Sequence, residues 1–181
     1  MSSVWTTVLD TVAREFSDIG DVEHLTVVAV RLLLAGALGF ALGFERETQG
    51  KAAGARTHML VAMGSALFVL VPQLSGTELA DMSRVIQGLV AGVGFLCAGA
   101  ILKSGGQEQD VRGLTTAAGM WMTAAIGMAC GLGREVTAIV AAVLALIVLA
   151  LVPHFSRGLE GMMGSGRRRP QGEEDKGPPR P

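Results

Sequence analysis

The sequence contains no tyrosine, and aromatic residues make up only 4% of its 181 residues. Charged residues are also few, at 17%, whereas half of the residues are hydrophobic. A soluble domain needs more polar surface than this, and a transmembrane barrel would show aromatic girdles and alternating strands. With 25 glycines, the bias is toward the small side chains that let helices pack closely in lipid. The composition therefore predicts an all-α membrane protein.

Few residues suit catalysis or metal binding. The two cysteines, Cys97 and Cys130, lie inside apolar runs, so we interpret them as small buried side chains. The three histidines fall in different segments, and His58 is interpreted as an interfacial residue. There is no Ser/His/Asp set or phosphate-binding loop, and no cluster of acids resembles an octahedral magnesium site. We therefore expect no enzyme activity, no cofactor and no bound metal.

Apolar runs organise the chain into three parts. Residues 1–24 carry Val4, Trp5, Val8, Leu9 and Val12 at helical spacing, which predicts an interfacial helix lying on the membrane or on the bundle. Residues 25–153 form the transmembrane domain, and residues 154–181 are predicted to be a disordered basic cytoplasmic tail. The transmembrane domain contains five apolar runs, at residues 25–44, 59–74, 85–102, 114–132 and 136–152. We therefore predict a bundle of about five transmembrane helices.

The distribution of lysine and arginine predicts the orientation. With the N-terminus outside, eleven of the fifteen basic residues lie on the cytoplasmic side, three lie outside, and Arg31 is left in the membrane. An even number of helices would spoil this asymmetry. The N-terminus is thus predicted outside and the C-terminus in the cytoplasm.

Three segments resemble the MgtC/SapB family of bacterial membrane proteins. They are GFALGFERETQGKAAGARTHMLVAMGSALF (39–68), DMSRVIQGLVAGVGFLCAGAILKSGG (81–106) and VRGLTTAAGMWMTAAIGMACGLG (111–133). The likeness covers roughly residues 30–152. Cys97 stands where the family usually has glycine. No cytoplasmic domain of the kind many members carry follows the last apolar run, so we expect a short form, and the role of that domain is not carried over.

The resemblance implies a multi-pass protein of the bacterial inner membrane that is linked to magnesium limitation and to virulence. It implies a regulatory role through binding another membrane complex, with ATP synthase as one candidate. The alternative is a transporter or channel for magnesium or another ion. Besides the lipid bilayer, the expected partners are a membrane protein or a second copy of the chain, and not a nucleic acid.

Charged and hydroxyl side chains form a rim on the predicted inner side. The structural interpretation is that they anchor helix ends in the interface. Arg56 and Arg112 each begin a helix beside a glycine, where free N–H groups suit an anion or a carboxylate partner such as Glu45 or Glu47. The rim comprises Glu45, Arg46, Glu47, Arg56, Thr57, Lys103, Arg112, Thr115 and Thr116.

Arg31 lies deeper than a typical anchor. Since an unmatched charge in the membrane is costly, we predict that it pairs with Asp81, which together with Arg84 opens the third transmembrane helix. Glu78 and Glu23 are rival partners, and snorkelling of Arg31 to the headgroups is the alternative.

Three pairs of glycines have four-residue spacing, which allows close approach of another helix. They are Gly39/Gly43, Gly88/Gly92 and Gly127/Gly131. Packing within the chain and packing against a second copy are both compatible with this pattern.

Overall fold

The computed structural model describes residues 2–15, 21–103 and 113–163, and every regular element in these ranges is an α-helix. In chain order the helices are α1 (Ser2–Glu15), α2 (Val22–Thr48), α3 (Ala55–Leu74), α4 (Leu79–Lys103), α5 (Leu114–Gly131) and α6 (Glu135–Met163). Helices α2 to α6 form one bundle, whereas α1 contacts none of them. The predicted all-α class is confirmed.

Three of the described helices are long and apolar enough to cross a membrane. They are α2, α3 and, within α4, Ala80–Ile101, while the apolar part of α6, Glu135–Leu151, is shorter. Helix α5 lies at the centre and contacts each of the other four helices of the bundle. A central helix needs small residues for close packing more than it needs lipophilic ones, which fits its Gly, Ala and Thr content.

The helices extend past the apolar runs that predicted them. Helix α2 begins at Val22 because the Asp21 side chain caps it, accepting a hydrogen bond from the Glu23 N–H at 3.1 Å. At its other end α2 continues through the polar residues to Thr48. An apolar run marks the part of a helix that suits lipid, whereas the helix itself ends where its backbone groups find other partners.

Helix α6 continues past residue 153, where the predicted tail begins. It passes through Pro153 and ends at Met163, so the first ten residues of the expected disordered tail are helical. Proline lacks the N–H group that would donate to the carbonyl four residues earlier in the helix. The missing hydrogen bond affects one carbonyl, that of Leu149, and Arg46 supplies another donor for it. Residues 164–181 lie outside the described part.

Small residues dominate the core of the bundle. Its buried cluster draws two residues from each of four helices: Ala35 and Leu42 in α2, Ala62 and Ala66 in α3, Ile126 and Cys130 in α5, and Ala138 and Ala142 in α6. Alanine at most of these positions brings the helix axes close together. The bundle interior is therefore closed by direct helix contact.

Candidate functional site

The two ends of the bundle each hold an arginine, and we name the ends after them: Arg31 is partly buried, and Arg46 is fully buried. At the Arg31 end, α2 and α6 begin and α3 and α5 end. At the Arg46 end, α2 ends and α3 begins, and α6 passes close by at Leu149. The predicted orientation, which would place the Arg31 end outside, stays a prediction from charge.

Arg31 connects four helices. Its Nη1 donates to Gln73 Oε1 in α3 and to the Gly131 carbonyl in α5, both at 2.9 Å. Its Nε lies 3.7 Å from the Glu135 carboxylate in the first turn of α6. The last carbonyls of a helix have no partner within it and carry partial negative charge, so a guanidinium there is favourable. Arg31 thus stabilises the α5–α6 turn from α2.

The predicted pair between Arg31 and Asp81 is wrong. Asp81 instead lies 3.8 Å from Arg84 on its own helix, where both side chains are largely exposed. The reason is the arrangement of the helices, because α4 contacts α3 and α5 but not α2 among the described residues. Sequence reasoning passed over Glu135 because it follows a short turn and looked like a loop residue.

Removal of the Glu135 carboxylate, which pairs with Arg31, is expected to destabilise the fold. We expect Glu135→Leu to lower the free energy of unfolding by about 1 kcal/mol, since the carboxylate is partly exposed and solvent weakens the pair. In a double-mutant cycle with Arg31→Leu, the two losses should be non-additive. The measurement is denaturant unfolding in detergent. The same cycle with Asp81→Leu is the control, and coupling to Asp81 instead of Glu135 would contradict the structure.

Arg46 is the largest of the fully buried side chains, with 1% of its surface exposed. Its Nε and Nη2 donate to the carboxylate of Glu45, with 2.7 Å between Nη2 and Oε1. Nη2 also lies 3.4 Å from the Leu149 carbonyl in α6. In an α-helix this carbonyl would accept from the N–H of residue 153, which proline lacks. Arg46 therefore satisfies the carbonyl that Pro153 leaves without its usual donor.

Glu47 closes the connection between α2 and α3. Its Oε2 accepts a hydrogen bond from the Ala55 N–H at 2.9 Å, which caps α3 where Gly54 has no side chain to do so. Arg56, which follows Ala55, is exposed and forms no ion pair with another described residue. The start of α3 thus has its carboxylate partner within the chain.

The second predicted helix start is only partly within the described residues. Arg112 lies outside them. Gly113 precedes α5 in a left-handed conformation, with φ of 91°, which favours glycine. Thr115 is exposed and borders an open apolar groove of about 340 Å³ along α2, α5 and α6, and Thr116 is buried.

His58 is a buried residue that sequence reasoning placed at the interface. It is fully buried, and its Nδ1 lies 3.0 Å from the Gly54 carbonyl. Its Nε2 is a buried polar atom without a hydrogen-bond partner among the described residues. The signal was present in the sequence, because Gly39 and Gly43 leave room on α2 for the start of α3. A Cβ on Gly43 would lie 2.9 Å from that of His58.

The three glycine pairs have different roles. A Cβ on Gly39 would lie 2.7 Å from the His58 carbonyl oxygen, and one on Gly43 would lie 2.6 Å from the Ala55 Cα. In α5, a Cβ on Gly127 or Gly131 would collide with the carbonyl oxygen of Ala62 or Ala66, respectively. These two pairs pack helices within the chain.

The third pair remains open. Apart from the local backbone of α4, no atom of the described residues lies within 4 Å of a Cβ placed on Gly88 or Gly92. Both glycines line an apolar groove of about 530 Å³ between α3 and α4. The same spacing in the sequence therefore corresponds to close packing in α2 and α5 and to an open face in α4.

A profile of the MgtC family matches residues 32–157, which is more than two-thirds of the chain. The chain belongs to the MgtC family. The matched region begins at Leu32 within α2, ends within α6, and contains Arg46, Glu47, His58 and all three glycine pairs. The predicted family is confirmed.

Several relatives are more than 40% identical to this chain over the aligned residues. Protein MgtC of Brucella abortus (strain 2308) is 44% identical over 129 residues, which is 70% of this chain and 52% of that protein. YhiD of Escherichia coli (strain K12), named as a proposed magnesium transporter, is 44% identical over 127 residues, 66% of this chain and 58% of YhiD. SrpB of Synechococcus elongatus is 49% identical over 117 residues, 59% of this chain and 64% of SrpB.

This MgtC-family chain spans between half and two-thirds of the length of these relatives. No solved structure matches it. The family membership and the apolar helices together identify a membrane protein.

Proposed function

We propose that this chain is a regulatory module of the bacterial inner membrane that binds another membrane complex under magnesium limitation. The observation that supports the proposal best is the closed interior of the bundle. Ala35, Ala62, Ala66 and Ile126 pack in one contiguous cluster between the Arg31 and Arg46 ends. A bundle closed in this way suits a rigid body that presents its outer surface to a partner.

The contacts of Arg31 and Arg46 support the same interpretation. A charged side chain within a transmembrane helix is by default a candidate for an ion pathway. Here Arg31 donates to Gln73 and Gly131, and Arg46 donates to Glu45 and Leu149. Each guanidinium thereby joins helices, so their positions are accounted for by stability.

A magnesium transporter is the second candidate. Two observations favour it, namely the unpartnered Nε2 of His58 inside the bundle and the name of YhiD. His58 lies on α3 against α2, and a Cβ placed on Gly119 of α5 would lie 3.6 Å from its Nε2, so a rearrangement of these helices would expose a polar atom to a transported ion.

Reconstitution separates the two candidates. The purified chain is placed in liposomes that contain a fluorescent magnesium indicator, and Mg²⁺ is added outside. If the chain is a regulatory module, Mg²⁺ should enter these liposomes no faster than it leaks into liposomes without protein. Protein-dependent influx that is lost in His58→Ala, while Arg134→Ala at an exposed position retains it, would overturn the proposal in favour of transport.

The partner is tested in membranes. We expect affinity purification after chemical cross-linking to recover a membrane complex, with ATP synthase the first candidate to examine. Its ATP-driven proton pumping in inverted membrane vesicles should change when the chain is added. Unchanged pumping together with the absence of any cross-linked membrane protein would contradict the regulatory proposal.

A further inference from the structure

Helix α4 contacts α3 and α5 alone among the described helices, and the apolar groove lies beside it. Gly88 and Gly92 on α4 and Gly64 on α3 give the groove a floor of exposed helix backbone, and Leu60, Phe68 and Leu96 are among the residues that line it. Beyond each glycine's own stretch of helix backbone, a Cβ placed on any of the three would have no atom of the described chain within 4 Å. One turn of helix with its side chains occupies on the order of 400 Å³ by its pitch and diameter, so about 530 Å³ accepts roughly one turn.

The rest of the chain shows how such glycines are used in this protein. At Gly39, Gly43, Gly127 and Gly131 the backbone of another helix lies where a Cβ would be. A glycine inside a helix costs roughly 1 kcal/mol relative to alanine, so close packing is the usual compensation. Gly88 and Gly92 on α4 have no such close packing against another described helix.

A buried hydroxyl faces the same groove. Ser65 on α3 has 3% of its surface exposed and lines the groove. It takes part in none of the side-chain hydrogen bonds found among the described residues. A hydroxyl in such an apolar place needs a partner, and a second helix lying in the groove supplies backbone carbonyls and side chains for it.

Charge at the end of α4 identifies the occupant. Asp81, Arg84, Gly88 and Gly92 follow one another at spacings of three, four and four residues, which puts them on one face of the helix. Asp81 and Arg84 are 61% and 83% exposed, so each is free to meet a second partner. A two-fold axis parallel to the helices would bring the same end of α4 in two protomers together. The Asp81 and Arg84 pair on one protomer is then complementary in charge to the same pair on the other. A lipid tail has no such charges.

We propose that a second copy of this chain docks on this face, with the two α4 helices parallel and crossing at Gly88 and Gly92. Each α4 enters the groove of the other protomer. Asp81 of each protomer then faces Arg84 of its partner, and Ser65 gains a hydrogen-bonding neighbour. The interface is isologous, as expected for a two-fold dimer.

The first test uses a matched pair of glycines. Gly92 lines the groove, whereas Gly94 has equally open surroundings but does not line it. The mass of the protein in lipid nanodiscs is measured for the wild type, Gly92→Leu and Gly94→Leu. We expect dimers for the wild type and Gly94→Leu, and dimerisation weakened roughly tenfold or more in Gly92→Leu. A monomeric wild type, or Gly92→Leu as dimeric as Gly94→Leu, would overturn the proposal.

The second test uses charge and leaves the groove intact. Asp81→Arg places two like charges on each protomer and should weaken the dimer, and adding Arg84→Asp should restore it. Restoration indicates a self-complementary contact, which neither lipid nor an unrelated protein would produce. If the double variant stays as weak as the single one, or if neither changes the mass, docking of a second copy on this face is wrong.

Discussion

Replacing Gly127 with alanine is expected to lower the free energy of unfolding by about 3 kcal/mol, at the upper end of what overpacking usually costs. The added Cβ would collide with the carbonyl oxygen, the carbonyl carbon and the Cα of Ala62. All three are backbone atoms of α3, so no side chain can turn away to make room. Helices α3 and α5 would have to separate along their whole contact.

Gly94 provides the matched control for this prediction. A Cβ there would meet no described atom within 4 Å outside its own helix backbone, so Gly94→Ala has the same chemistry in a helix without the collision. Because alanine is the better helix former, we expect it to stabilise the fold by up to about 1 kcal/mol. Unfolding by sodium dodecyl sulfate in mixed micelles, followed by circular dichroism, measures both. Equal stability of the two variants would show that α3 and α5 do not pack as described.

Replacing Arg46 with methionine is expected to cost roughly 3–5 kcal/mol, as for other buried ion pairs that lose one partner. The change leaves the Glu45 carboxylate without its guanidinium and the Leu149 carbonyl without its donor. Arg84→Met is the control, because Arg84 is 83% exposed and its pair with Asp81 should contribute less than about 1 kcal/mol.

A substitution of Pro153 tests how much of the stability lost in Arg46→Met comes from the Leu149 carbonyl. Pro153→Ala restores the N–H group that normally bonds to the carbonyl four residues earlier. Arg46→Met should therefore destabilise the Pro153→Ala protein less than it destabilises the wild type. The same unfolding measurement decides the question. If the two losses are equal, Arg46 acts through Glu45 alone.

The sequence by itself determined the class of protein and much of its order along the chain. Its composition predicted membrane helices, its apolar runs located α2 to α6 in the right order, and three motifs indicated the family. These features depend on residues near one another in the chain, and burial in lipid makes hydrophobicity a direct signal. The expected rim of charge likewise included Glu47, which caps α3.

Only the tertiary structure decided which residues meet. The same glycine spacing packs α5 against α3 but leaves α4 open, Arg31 meets Glu135 and not Asp81, and His58 is buried. Each outcome depends on which helices are neighbours, and lipid tails as apolar as the side chains give hydrophobicity no power to select among them. Backbone fit and the pairing of a few buried polar groups make that selection, and both are properties of the assembled bundle.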